Sequence, residues 1–284
     1  MTRSVTFAGL SLDHPRLMGV VNVTPDSFSD GGRFLDAGAA IRHGRELLEA
    51  GADIVDIGGE STRPGAQPVS VDEELARVIP VVQALAADGA LVSIDTRHAL
   101  VMKAAIAAGA AIINDITALT GDPDALRLLG DSDASVVLMH MQGQPASMQL
   151  DPRYDCASSE VRDYLRGRLE ACRAAGIADR RLCLDPGIGF GKTLEHNLEI
   201  LADLGRLVEL GVAVLVGVSR KSFISRLSGG VPADQRLPGS LAAALAAVSR
   251  GAHILRVHDV AETAQALAVW RAINWPLSSA AVLG

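Results

Sequence analysis

Eight short runs of apolar, β-favouring residues recur along the chain, at 17–23, 53–58, 91–95, 111–115, 135–140, 181–185, 213–218 and 253–257. Each gives way to polar or glycine residues and then to an Ala/Leu-rich stretch long enough for a helix, the pattern of a repeated strand-then-helix unit. Residues 70–86 show the helical period. Ser70 and Glu73 have capping-box spacing, and Leu75, Val78, Ile79, Val82 and Leu85 share one face. Pro80 is expected to kink that helix. A last helix is predicted to start on Asp259 as its cap, to turn Ala266, Leu267, Trp270 and Ile273 inward, and to stop before Pro276. Eight such units without a composition break predict an α/β chain folded as one closed (β/α)₈ barrel, the TIM-barrel class, rather than an open doubly wound sheet. Thr6-Phe7-Ala8-Gly9-Leu10 predicts a short hairpin capping the barrel bottom. The expected division is therefore 1–16 for this hairpin cap, 17–275 for the barrel and 276–284 for a short tail.

Composition narrows the picture. The 284 residues suit one barrel, a fold that commonly takes about 250. Hydrophobic residues reach 49% while aromatics are 3%, so the core must be layered from Ala, Val, Leu and Ile. A net charge of −7 offers no field for a phosphate backbone, which argues against nucleic acid as a partner. Cys156, Cys172 and Cys183 are odd in number and lack CxxC spacing, as expected of reduced thiols in a cytoplasmic protein. Met1 to Ser11 has no long apolar run behind Arg3, and no stretch approaches the roughly 20 apolar residues of a membrane span. Neither export nor a membrane is expected.

In such a barrel the active site lies at the C-terminal strand ends. Those ends carry Asn22, then Asp56 with Glu60 to Arg63 beyond it, Asp95, Asn114 and Asp115, Met139 and His140, Asp185, Ser219 to Ser222, and Arg256 with His258. Any one Asp or Asn there could be a helix cap. Together, carboxylates or amides on five strands facing cations on two predict a polar, charge-divided mouth. The longest irregular segments, 24–32 and 58–65, are the loops expected to close over a substrate.

At these positions the chain resembles a known family. Asn22-Val23-Thr24-Pro25-Asp26-Ser27-Phe28-Ser29-Asp30-Gly31-Gly32, Gly58 to Gly65, Asp185-Pro186-Gly187-Ile188-Gly189-Phe190-Gly191-Lys192, Ser219-Arg220-Lys221 and Arg256-Val257-His258-Asp259 are similar, in order and spacing, to the dihydropteroate synthases. The resemblance runs from about Leu17 to Ile273. It implies condensation of 6-hydroxymethyl-7,8-dihydropterin diphosphate with 4-aminobenzoate to give 7,8-dihydropteroate and pyrophosphate, with Mg²⁺, in folate synthesis. It also implies a homodimer, and sulfonamides as inhibitors that mimic 4-aminobenzoate.

A pterin edge presents two adjacent donors that one buried carboxylate can accept together, the role expected of Asp185. Asn114 and Asp95 should complete the in-plane contacts, and Met139 an apolar floor. Arg256 can stack on the ring while donating to phosphate, and Lys221 can reach the pterin carbonyl. Asn22, Thr62, Arg256 and His258 match the family's diphosphate positions, with Asn22 a neutral oxygen ligand for Mg²⁺. For the amine substrate, the helix start at Ser222 suits a carboxylate. Phe28, Arg63, Pro64 and Phe190, with the stem of Lys221, resemble the rest of that pocket, whereas Phe223 is assigned to the core. Asp30, Lys221 and Arg256 are the expected catalytic groups, Asp30 stabilising a cation left when pyrophosphate departs. Asp26 and Arg63 can equally be hinge and clamp of the loops, Met139 plain core, and His258 a packing histidine. Two other readings stay open: a pterin-dependent methyltransferase, which needs no diphosphate site, and a silent paralogue that binds without turnover.

Overall fold

Alternation inside each apolar run decides the architecture. In the strand Arg16–Asn22, Leu17 and Val21 belong to one buried cluster and Met18 to another, because successive side chains point to opposite faces. The same split recurs around a closed parallel barrel. The computed structural model describes residues 5–23, 33–60 and 69–274, of 33–36 the backbone only. The barrel strands are β3 (Arg16–Asn22), β4 (Ile54–Gly58), β5 (Val92–Asp95), β6 (Ile112–Asp115), β7 (Ser135–Met139), β8 (Leu182–Asp185), β9 (Ala213–Val216) and β10 (Ile254–Val257), and β10 closes on β3. All neighbouring pairs are parallel. The predicted fold class is what the chain adopts.

Outward residues such as Val55, Ile57, Ile94, Ile113, Leu138, Leu184 and Val214 form the large cluster against the helices. Inward residues at the strand starts, Met18, Ile54, Ile112, Cys183, Ala213 and Ile254, form a second cluster with Phe7 and Leu12. That cluster places the N-terminal hairpin, β1 (Thr6–Phe7) paired with β2 (Leu10–Ser11), across the barrel bottom. Its tight turn needs left-handed backbone at two successive residues, and Ala8 and Gly9 have φ of 48° and 81°.

The helix over Val71–Ala87 begins as predicted, with Ser70 Oγ accepting from Glu73 N. The reciprocal half of the box is not made, because the Glu73 carboxylate binds Arg77, 2.6 Å away. Val78, Val81, Val82 and Leu85 are buried, Leu75 and Ile79 only partly, and the helix runs on through exposed Pro80. In the last helix, Val260–Asn274, the buried positions are Val260, Thr263 and Leu267. Ile273, expected to face inward, is 74% exposed, while Ala266 and Trp270 are partly buried. Among the described residues no helix is long and apolar enough to cross a membrane.

Candidate active site at the carboxyl end of the barrel

Two residues beyond the apolar starts, the same inward rows turn polar: Ile54 is followed by Asp56, Ile112 by Asn114, Cys183 by Asp185, and Ile254 by Arg256. Parallel pairing sets these tops side by side. Asn22 is level with Gly58, Gly58 with Asp95, Asp95 with Asn114, and Met139 with Asp185.

Arg256 stands at the centre. Its Nε donates to Asp56 Oδ2 at 2.7 Å and its Nη2 to Asp95 Oδ2 at 2.9 Å, while Asn114 Nδ2 donates to the same Asp56 oxygen at 3.0 Å. Asp56 is fully buried, and its Oδ1 has no partner among the described residues. Burial works against the charge of Arg256, but Asp56 and Asp95 outweigh it and hold the guanidinium firmly protonated. Burial raises Asp95 well above the ordinary carboxylate range, and Asp56, Glu74 and Asp115 add to the rise against the pull of Arg256. The cations face the carboxylates across the mouth, and Arg256 is directly paired with two of them. Cation and carboxylates neutralise each other, because a buried charge left alone would be far costlier.

Asp185 and Lys221 form the second half of the site. Burial raises Asp185, opposed by Lys221, by the Gly187 N–H 2.7 Å from its Oδ1, and by Arg256. Lys221 is pushed down to about 8 by burial, with Asp185 pulling the other way. Its Nζ donates to Ile188 O and lies 4.8 Å above the Phe190 ring. Left-handed backbone at Arg220, φ 58°, splits the Ser219-Arg220-Lys221 string three ways. Ser219 Oγ meets His258 at its backbone N and at Nδ1, 3.2 and 3.0 Å away. The Arg220 guanidinium turns outward to Asp259, the residue expected only as a cap. Lys221 turns inward, and Ser222 stands exposed at the start of the helix Ser222–Leu227. Phe223 is buried, as assigned.

The structure therefore brings Asp95, Asn114, Asp185, Lys221 and Arg256 together, with Met139 buried beside Asp185 and Phe190 under Lys221. Asp26, Phe28, Asp30, Thr62, Arg63 and Pro64 lie outside the described residues. Among the described residues no cluster of three His, Cys, Asp or Glu side chains forms a metal cage. The donors beside Asn22 nonetheless suit a hard cation. A Cβ at Gly58 would lie 4.0 Å from Asn22 Oδ1 and 3.9 Å from Asp95 Oδ2, so the missing side chain leaves two oxygens over one gap. Three contributors received no role from sequence: Asp56, which anchors Arg256, and the buried pair His140 and Lys192. A lone carboxylate inside Ile-Val-Asp-Ile-Gly was the available signal for Asp56; Lys192 gave none beyond its motif.

Residues 18–258 match the model of a family described as pterin binding enzyme. The chain is 51% identical over 281 residues to the dihydropteroate synthase of Neisseria meningitidis serogroup C, covering 96% of this chain and 99% of that one. It superposes on the dihydropteroate synthase of Xanthomonas albilineans with 4-aminobenzoic acid, with a TM-score of 0.89, 52% identity, and 96% and 98% of the two chains covered. The complex of the Xanthomonas albilineans enzyme with 7,8-dihydropteroate gives a TM-score of 0.85, 51% identity, and 93% and 95% coverage.

Proposed function

The chain belongs to the pterin-binding enzymes, among the dihydropteroate synthases, and from that premise we propose how its barrel mouth condenses 6-hydroxymethyl-7,8-dihydropterin diphosphate with 4-aminobenzoate. It is a transferase of folate synthesis. The observation that carries the reading is the set of buried acceptors and cations at one end of an otherwise apolar barrel: Asp185 beside Lys221, and Arg256 between Asp56 and Asp95.

In this account Asp185 accepts the amino and ring N–H donors of the pterin, helped by Asn114 and Asp95, over Met139 as floor. Lys221 donates to the pterin carbonyl. Arg256, its plane fixed by Asp56, stacks on the ring and extends its remaining donors toward the diphosphate together with Asn22, Thr62 and His258. The exocyclic C–O bond breaks, and its electron pair leaves with pyrophosphate. The positive charge on that carbon spreads into the pterin ring, with Asp30 as counter-charge. The amine nitrogen then bonds to the carbon and loses a proton. Phe28, Pro64 and Phe190 hold the aromatic ring of the amine, and Ser222 with Arg63 its carboxylate. Asn22 Oδ1 would hold Mg²⁺, which would supply positive charge to the diphosphate when bound.

No nucleophilic side chain is needed, and none is assigned. We place the enzyme in the cytoplasm, consistent with the free thiols of Cys156, Cys172 and Cys183. We assign it as a homodimer. Light scattering on a sizing column checks it. Sulfonamides should compete with 4-aminobenzoate. Incubation with radiolabelled 4-aminobenzoate tests the whole reading: label should enter 7,8-dihydropteroate only when the pterin diphosphate is present. A protein that binds the pterin yet forms no labelled product is the silent binder instead.

A further inference from the structure

Phe190, and the Gly187 N–H that holds Asp185, belong to one turn, residues 186–191, which leaves the end of β8. Gly187 and Gly191 have φ of 66° and 61°, and a Cβ at either would collide with a carbonyl of the chain leaving β7, at His140 and at Gln142 respectively. The turn therefore lies flat against that chain. Lys192, 3% exposed, closes the contact. Its Nζ is 3.0 Å from His140 Nδ1, 3.3 Å from His140 O and 2.9 Å from Phe190 O, three acceptors around one amine. Burial pushes Lys192 down to about 7, with Asp185 pulling the other way and Lys221 adding to the fall. Burial above all, with Lys192 beside it when protonated, holds His140 down to about 3, so the ring is neutral and Nδ1 can accept. His140 is itself fixed edge-on to Tyr164, with centroids 5.0 Å apart.

Other side chains bind the turn elsewhere: Asn197 Oδ1 accepts from Gly189 N at 2.6 Å, and Tyr154 donates to Gly191 O at 2.9 Å. Lys192 is the group that ties Phe190 O to β7. The same turn supplies Ile188 O, the acceptor of Lys221. One short segment thus contacts two groups of the proposed site, Asp185 and Lys221, and carries a third, Phe190, and a buried lysine joins it to the chain leaving β7.

We propose that Lys192 is a positioning residue for the synthase reaction: it fixes the 186–191 turn on the end of β7 and so sets Asp185, Lys221 and Phe190 relative to one another. The inference rests on the proposed roles of Asp185 in pterin binding and Phe190 in amine binding. Lys192→Met keeps the stem and removes the donors. It should raise the KM for 4-aminobenzoate about tenfold and that for the pterin diphosphate severalfold, with kcat lowered less than either. Hydrogen exchange followed by mass spectrometry should be faster over 186–193 and unchanged in the rest of the barrel. If Lys192→Met does not fold, His140→Phe, which keeps an aromatic ring against Tyr164 but loses the Nδ1 acceptor, should show the same pattern more weakly. Wild-type KM values with unchanged exchange over 186–193 would overturn the proposal, as would a general loss of stability with unaltered KM values. Should the wild-type protein show no turnover, the functional reading fails, and the exchange experiment still decides the role of Lys192.

Discussion

The two ends of the barrel interior are built from the same strands and do opposite things. At the bottom, Met18, Ile54, Ile112, Cys183 and Ile254 close with Phe7 into a plug without charge. Two residues beyond Ile54, Ile112, Cys183 and Ile254, about 7 Å along each of those strands, the side chains become Asp56, Asn114, Asp185 and Arg256. The difference teaches how a barrel of plain aliphatic residues supports polar chemistry. The plug seals one end, so the groups at the other sit in a poorly solvated cup where each charge needs a partner. The pairing of Arg256 with Asp56 and Asp95 is the price of placing a cation there.

The largest effect that could break this contrast is at its centre. Arg256→Met leaves two carboxylates facing each other, so turnover should fall at least about a hundredfold and stability by about 3–5 kcal/mol, measured by product formation and urea unfolding. A variant that stays fully stable would show that the carboxylates do not depend on the cation. Phe7→Ala at the opposite end should cost about 3–5 kcal/mol of stability yet leave kcat/KM of the folded enzyme unchanged. Lost catalysis there would mean that the plug and the mouth are coupled.

Within the mouth the contrast becomes one between substrates. Asp185→Ala should weaken pterin binding by roughly a hundredfold, read by calorimetry, because it removes charged acceptors. Phe28→Ala, in a segment outside the described residues, should mainly raise the KM for 4-aminobenzoate, by about tenfold. Equal effects of both variants on both substrates would erase the division. The smallest expected effect is with pH. Lys221, held down to about 8, is charged below that pH and loses its proton above it, so pterin affinity should fall by up to about tenfold between pH 7 and pH 9. Affinity that rises over this range would remove Lys221 from pterin recognition.

The strands were legible because each is a short apolar run; β4, β5, β6, β8 and β10 each begin one residue later than the run suggested, and β3 one residue earlier. Helix edges were less so. Ile273 fits the helical period but is exposed in the last turn, and Glu73 has box spacing but finds a partner in Arg77. At the site, residue types were legible and pairings were not. Arg256 and Asp56 are 200 positions apart, and no local pattern says that a cation meant for substrate is first held by a carboxylate. Lys192 is the clearest case: in the sequence it ends a glycine-rich string as any surface lysine could, and only the fold buries it.

In the proposed reaction this mouth expels pyrophosphate to make way for an amine. Pyrophosphate release by the purified protein, given dihydropterin diphosphate and Mg²⁺ with and without 4-aminobenzoate, tests it most directly. The account predicts release that depends on the amine and matches dihydropteroate formed mole for mole; pterin bound with no pyrophosphate released in the presence of the amine would contradict it.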